Sequence, residues 1–516
     1  MTPYPTITNG TLRVRLLSLQ SQAYDEMIAA ARTCYSARGL VDPEEAAAWD
    51  TEKRNGLSSS IFAAGHHTTL QHSHATFAIE GVTRQTIWSF LHSHPFYNSE
   101  QISQRYVAVS HDALTVPESL DAKQRELFSQ TAEAQMNAYR QLCEALTPSV
   151  RDLYLSLFPA RGEDKQTPKA IERRAQEVAR YVLPLATHAC LHHTVSTLTI
   201  LRYHRMMTQP DAPTEQRALA EAMAQLLIQA EPEFAQLLQE PIPQDSFAVT
   251  DLLAKHGGVV DRQRAQKFVR EFDTTLEGKT SKLVDYGVKN EALLASAVRE
   301  VLGISSDEMS DDDAITAAMN PSCNKALSET MNIGTMDKLT RTLWHPHYSF
   351  RKRISHCADS QDQRHRMTPA SRPILMAHFT GEPDVITPSL IDQCAQAKQF
   401  FDDANAHCWK TANALLESGA DAEAVSMILP NAVAIRFTQS ADLLSLRHKM
   451  AMRLCFNAQE EICMASHEEA QQIAEVNPRI GQYLDPPCIT RHKAGIAPKC
   501  PEGSRYCGHK PWLNND

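Results

Sequence analysis

The chain has 516 residues and a formal net charge of −10, with 51 Lys and Arg against 61 Asp and Glu. That length exceeds one ordinary core and calls for two or more domains. The acidic balance excludes a general nucleic-acid surface, which needs a basic face. No apolar run is long enough to cross a bilayer, and no basic segment followed by an apolar one opens the chain. Twelve cysteines spread over this length fit a reducing cytoplasm better than a disulfide framework.

Residues 11–18 alternate as a strand, and 20–34 carry helical spacing rich in alanine. Residues 74–80 predict a second strand. Residues 119–146 and 170–206 keep a helical period throughout, and Thr214 opens a further helix to Leu227 behind Pro213. Antiparallel strands beside long helices indicate an α+β layer rather than a βαβ series. No Gly-x-Gly-x-x-Gly run appears, which argues against a Rossmann cofactor site.

The pattern then returns. Residues 14–17 and the helical stretch ending at Arg32 match residues 281–284 and a stretch ending at Arg299. Leu57-Ser58 and Gly65 pair with Leu327-Ser328 and Gly334, and residues 179–184 pair with 425–430. Order is kept, so we read two copies of one domain, 1–245 and 275–485. A helical linker, 246–274, joins them, and a Cys-rich tail, 486–516, follows.

Residues 65–107 hold dense polar chemistry around a short apolar run. Arg105 can grip a phosphate in bidentate fashion, with Ser103 and Gln101 as hydrogen-bonding partners. Gly65-His66-His67-Thr68-Thr69-Leu70-Gln71-His72 and Ser103-Gln104-Arg105-Tyr106 resemble the Gly-His-x-Thr-x-x-x-His and Ser-x-Arg-Tyr elements of flavin-dependent thymidylate synthases. Between them that family carries Arg-His-Arg. Here the same place reads Leu91-His92-Ser93 or, in another register, Ser93-His94-Pro95, so one histidine stays and both arginines are gone.

The resemblance implies reductive methylation of dUMP by methylenetetrahydrofolate, with FAD as cofactor and NADPH as reductant. It implies substrate contacts from Gln101, Ser103, Gln104, Arg105 and Arg180, the last in an Ala-Arg-x-x-Leu-Pro element. It implies cofactor contacts from His66, His92, Asp442 and His448. Arg453, ahead of Ala458-Gln459-Glu460-Glu461-Ile462, is the expected catalytic arginine. The copies have lost complementary parts: Ser426 stands at the Arg180 position and Thr335 at the His66 position. One composite site drawn from both copies is therefore expected, with two chains forming a pseudo-tetramer. Two alternatives are a related flavoenzyme acting on another pyrimidine nucleotide, and a decayed paralogue serving as a scaffold.

Residues 355–366 form the densest polar run. They suggest a polar or anionic pocket in which Asp362 orients Arg364 and Arg366, a base role for Asp359 or Asp362 beside His365, or equally an interdomain salt-bridge network. In the tail, Cys488, Cys500, Cys507 and His509 could hold a structural zinc, since thiolates and imidazole suit that ion tetrahedrally.

Overall fold

The computed structural model describes residues 4–93, 95–158 and 161–513. The chain divides into two compact units that interleave the two sequence copies. Unit one holds residues 1–137, 183–259 and 410–429, and unit two holds 138–182, 260–409 and 430–516. Each copy therefore lends part of its helical region to the other copy's unit.

Unit one is built on an antiparallel sheet of order β1-β2-β3-β5-β4, with β1 Thr6–Asn9, β2 Leu12–Leu19, β3 His74–Thr83, β4 Asn98–Gln101 and β5 His188–Ser196. Leu12, Val14 and Leu16 of β2 point inward while their neighbours face out, as a half-buried strand requires. They meet Phe77 and Ile79 of β3 and the apolar face of helix Thr214–Ala230 in one core. Each such side chain stabilises the unit by about 1.5–3 kcal/mol through burial.

Unit two repeats the centre of that plan, with β6 Ser281–Tyr286, β7 His347–Ser355 and β8 Ala434–Asp442 in the order β6-β7-β8. Helix Glu460–Val476 takes the place of helix Thr214–Ala230. The correspondence reaches single residues. The register of β2 slips between Leu16 and Ser18, and that of β6 slips between Leu283 and Asp285, the matching position.

Helix starts match as well. Thr83 caps helix Arg84–His92 by accepting from the Thr86 N–H, and Ser355 caps helix His356–Asp362 by accepting from the Ala358 N–H. Ser196 and Asp442 cap the helices Thr197–Met206 and Leu443–Arg453 in the same way. Two copies of an α+β domain are thus visible in the backbone and not only in the sequence.

One sequence expectation needs correction. Residues 170–206 are not one helical stretch. Helix Thr167–Ala179 ends in a short 3-10 turn at Arg180–Val182, β5 follows, and a new helix starts at Thr197. Pro184 cannot continue a helix. Beyond it, Ala189, Leu191, His193 and Val195 are buried in alternation, the period of a strand. Met206 and the His192-His193 pair therefore lie on different elements, and His193 packs against Phe90, Tyr97 and Tyr203 in the core.

Candidate active site

Unit two carries a connected cluster of cationic and amide side chains from both halves of the sequence. Arg180, buried at the end of its helix, donates from Nη2 to Gln459 Oε1 at 2.7 Å. Gln459 in turn donates through its amide to the Tyr181 hydroxyl and, at 3.4 Å, to Cys357 Sγ. Asn431 Nδ2 fixes the Arg180 carbonyl at 3.0 Å. Burial opposes the charge of Arg180, but the acidic groups around it, Cys357, Glu177, Tyr181 and Glu461, outweigh that and hold it protonated.

Beside this lies Glu461, which ties down the start of helix His356–Asp362. It accepts from the Ser355 N–H and the Ser355 hydroxyl at 2.6 Å each, and from the Tyr181 hydroxyl at 2.6 Å. Unit one repeats this link. There Glu215 accepts from the Thr83 N–H at 2.9 Å and from its hydroxyl at 2.6 Å. The two carboxylates are equivalents and fix the register between the copies. At that register Met207 stands opposite Arg453, and Pro213 stands opposite Gln459.

Arg453 ends its helix with two donors committed. Its Nε donates to His365 Nε2 at 2.8 Å, and its Nη2 donates to the Gln361 carbonyl at 3.1 Å. Gln361 closes the circuit by accepting from the Gln459 N–H at 3.4 Å. Since the arginine donates, His365 must accept on Nε2 and carry its proton on Nδ1. Burial first, and the Arg453 charge second, hold His365 well below its ordinary imidazole range. His448, with its ring 5.9 Å from that of His365, is lowered by desolvation and by Arg453 and Arg447.

His365 is the centre of Arg364-His365-Arg366. Counting from the equivalent caps Thr83 and Ser355, this triplet stands opposite His92, Ser93 and residue 94. His94 lies outside the described residues. The Arg-His-Arg element sought in the first copy is thus intact in the second. The signal was legible in the letters, but the alignment of the copies had no anchor until the caps supplied one.

The roles expected for Asp359 and Asp362 do not hold. Asp359 receives both Nε and Nη2 of Arg372, at 2.7 and 2.8 Å. Asp362 pairs with Lys352 at 2.9 Å and Lys449 at 3.3 Å, all three buried. Burial alone would raise Asp362, but the two ammonium groups hold it well below the carboxylate range. Both carboxylates are engaged with cations. Glu469 completes the quartet, 2.9 Å from Lys352 and 3.0 Å from Lys449. Its two positive and two negative charges pin β7 and the helices that carry Asp362, Lys449 and Glu469.

The remaining expected residues lie in unit one or serve local ends. Gln101 accepts from Arg84 Nη1 at 3.0 Å, and Gln104 donates to Thr187 Oγ1 at 3.2 Å. Ser103 Oγ accepts from the Arg105 N–H at 3.2 Å, and Arg105 itself is buried. His66 is exposed, and His92 meets Trp88 edge to face. In unit two, Asp442 uses both oxygens on Ser445, each at 2.8 Å. Ser426, the counterpart of Arg180, bonds to Gln85 within unit one.

The sequence model of the thymidylate synthase complementing protein family matches residues 15–233 and again 282–479. The chain belongs to this family. It carries the family domain twice, in agreement with the paired sheets and caps. Among curated relatives, the flavin-dependent thymidylate synthase of Clostridium tetani is 28% identical over 214 residues, covering 41% of this chain and 80% of that protein. That of Nitratidesulfovibrio vulgaris is 29% identical over 231 residues, covering 43% and 84%. That of Mycobacterium marinum is 28% identical over 230 residues, covering 44% and 84%. Each relative thus spans less than half of this chain, the length of a single copy. Among the described residues no helix is long and apolar enough to cross a membrane.

Proposed function

We propose that this chain is a flavin-dependent thymidylate synthase that converts dUMP to dTMP with methylenetetrahydrofolate, FAD and NADPH. The observation that carries the reading is the joining of Arg180 to Arg453 through Gln459 and Gln361 inside unit two. A first-copy arginine and a second-copy arginine thereby share one cluster with the Arg364-His365-Arg366 triplet. Unit one has Ser426 and Met207 at the two arginine positions and lacks that cationic pair. One competent centre per chain follows.

The donor set fits a flavin nucleotide: two guanidinium groups and a neutral imidazole suit a pyrophosphate and a planar ring system. Arg364, Arg366 and His448 would hold it, and it would supply the hydride that completes the methyl group. The chain's own contribution is orientation and charge. Arg180 anchors the nucleotide phosphate, and Gln459 sets the direction of its guanidinium. Arg453 stabilises negative charge on the uracil oxygen as C5 becomes the nucleophile that attacks the one-carbon unit. His365 holds Arg453 through a neutral acceptor and adds no charge of its own. Ser103, Gln104 and Arg105 are proposed as nucleotide contacts, with Gln101 positioned beside them by Arg84. We propose a cytoplasmic location and a homodimer of chains, a pseudo-tetramer of family domains.

The test is formation of dTMP by the purified, flavin-loaded chain, and rescue of a thymidine-requiring strain. A folded, FAD-bearing chain that forms no dTMP but oxidises NADPH with another pyrimidine nucleotide would replace the substrate. A chain that binds no flavin would favour a scaffold.

A further inference from the structure

Beyond the family site, unit two contains a cavity of about 160 Å3 walled by residues from four separated segments. Four of its lining residues are cysteines: Cys455, Cys488, Cys500 and Cys507. Cys455 follows the helix that ends at Arg453. Cys488 lies in helix Pro487–Lys493, and the other two lie in the turns beyond it. None is disulfide-bonded, and all four are partly buried. The four thiols thus border one shared space.

We propose that Cys455, Cys488, Cys500 and Cys507 form a structural tetrathiolate site for zinc or a similar thiophilic divalent cation. Four sulfurs of this kind are the complete ligand set of a closed structural zinc centre. Such a site needs no ordered backbone motif, only four thiolates that can close to about 2.3 Å from one ion. Among the described residues no group of three or more donors already stands in a metal-holding arrangement, so the four thiols would have to close inward to hold the ion. His509 lines the same cavity but spends its ring edge to face on Phe456, 5.3 Å away. We assign it to the wall and Cys455 to the ligand set in its place.

The need for such a staple is physical. Residues 494–513 contain only turns and two short 3-10 segments. Side-chain donors such as Asn457 Nδ2 to the Arg505 carbonyl at 2.9 Å and Arg161 Nη2 to the Tyr506 carbonyl at 2.7 Å hold them. Segments that bury little apolar surface are held elsewhere by metals or disulfides. Here the ion would clamp the tail to the end of the helix that presents Arg453.

The experiment uses the full chain, expressed with zinc and purified under reductant. Elemental analysis should give one zinc per chain. Alkylation followed by peptide mapping should leave these four cysteines protected, and a chelator should expose all four together, while Cys34 and Cys323 react throughout. Cys488→Ser and Cys507→Ser should each lose the metal, and Cys34→Ser should keep it. Cobalt(II) substitution should give the visible bands of a tetrahedral thiolate centre. Metal-free native protein, or alkylation of the four thiols that is the same before and after chelation, would overturn the proposal. Retention of zinc in all of the tail variants would overturn it equally.

Discussion

Arg180 and Gln459 come from different copies of a duplicated domain, yet they share a hydrogen bond of 2.7 Å inside one compact unit. Their counterparts in the other copy set are Ser426 and Pro213, which can form no such bond. The copies therefore differ at these positions: Arg180 and Arg453 lie in unit two, where unit one has Ser426 and Met207. The Glu461 link to Ser355 and the Glu215 link to Thr83 show that the frame around both positions survived.

Arg453→Ala is expected to lower kcat about 10²–10³-fold, the scale of losing one donor to developing charge. Its thermal midpoint should stay close to that of the parent, because the side chain sits at a helix end and not in the apolar core. Steady-state dTMP formation and a melting curve check both parts.

Arg180→Ser reproduces the residue that stands at position 426. It should raise the nucleotide KM about 10–100-fold, the range of a lost charge-assisted bond, with a smaller fall in kcat. Ser426→Arg should not restore it, since Pro213 stands in for Gln459 on that side. Nucleotide titrations of the two variants and the double variant separate these outcomes.

His365 is held well below its ordinary value of 6.5 by burial and by Arg453. The unfolded chain therefore binds a proton first as the solution is acidified. The stability that His365 contributes is complete above about pH 6.5 and drains away as pH falls toward its folded value. His365→Gln keeps an acceptor for Arg453 and cannot titrate. It should flatten the part of the stability profile below pH 6.5 that His365 causes. Denaturant melts across that range read the slope.

Lys449→Met leaves Asp362 and Glu469 sharing one ammonium in a sealed interior. A loss of about 3–5 kcal/mol is expected. Pairing it with Glu469→Gln restores neutrality and should return a large part of that loss. Chemical denaturation of the single and double variants gives the coupling.

Much of the frame was readable before any coordinates. β2, helix Ala23–Thr33, β3 and helix Thr214–Ala230 follow from period and breakers, and the repeat follows from letter order. β5 was hidden because helical and extended periods meet at Pro184, and the alternation after it is short and rich in histidine. The Arg364-His365-Arg366 triplet was missed for another reason. Letter matching alone aligned the copies loosely there, whereas the caps Thr83 and Ser355 fix it. Cys455 stands far from the tail cysteines in sequence, and only folding brings it to their cavity.

The most direct test is to supply isotope-labelled dUMP, methylenetetrahydrofolate and NADPH to the FAD-loaded chain, and to titrate bound nucleotide per chain alongside. The account predicts labelled dTMP and one nucleotide site per chain, both lost in the Arg180→Ser, Arg453→Ala double variant. Turnover that survives in that variant, or two equal nucleotide sites per chain, would contradict it.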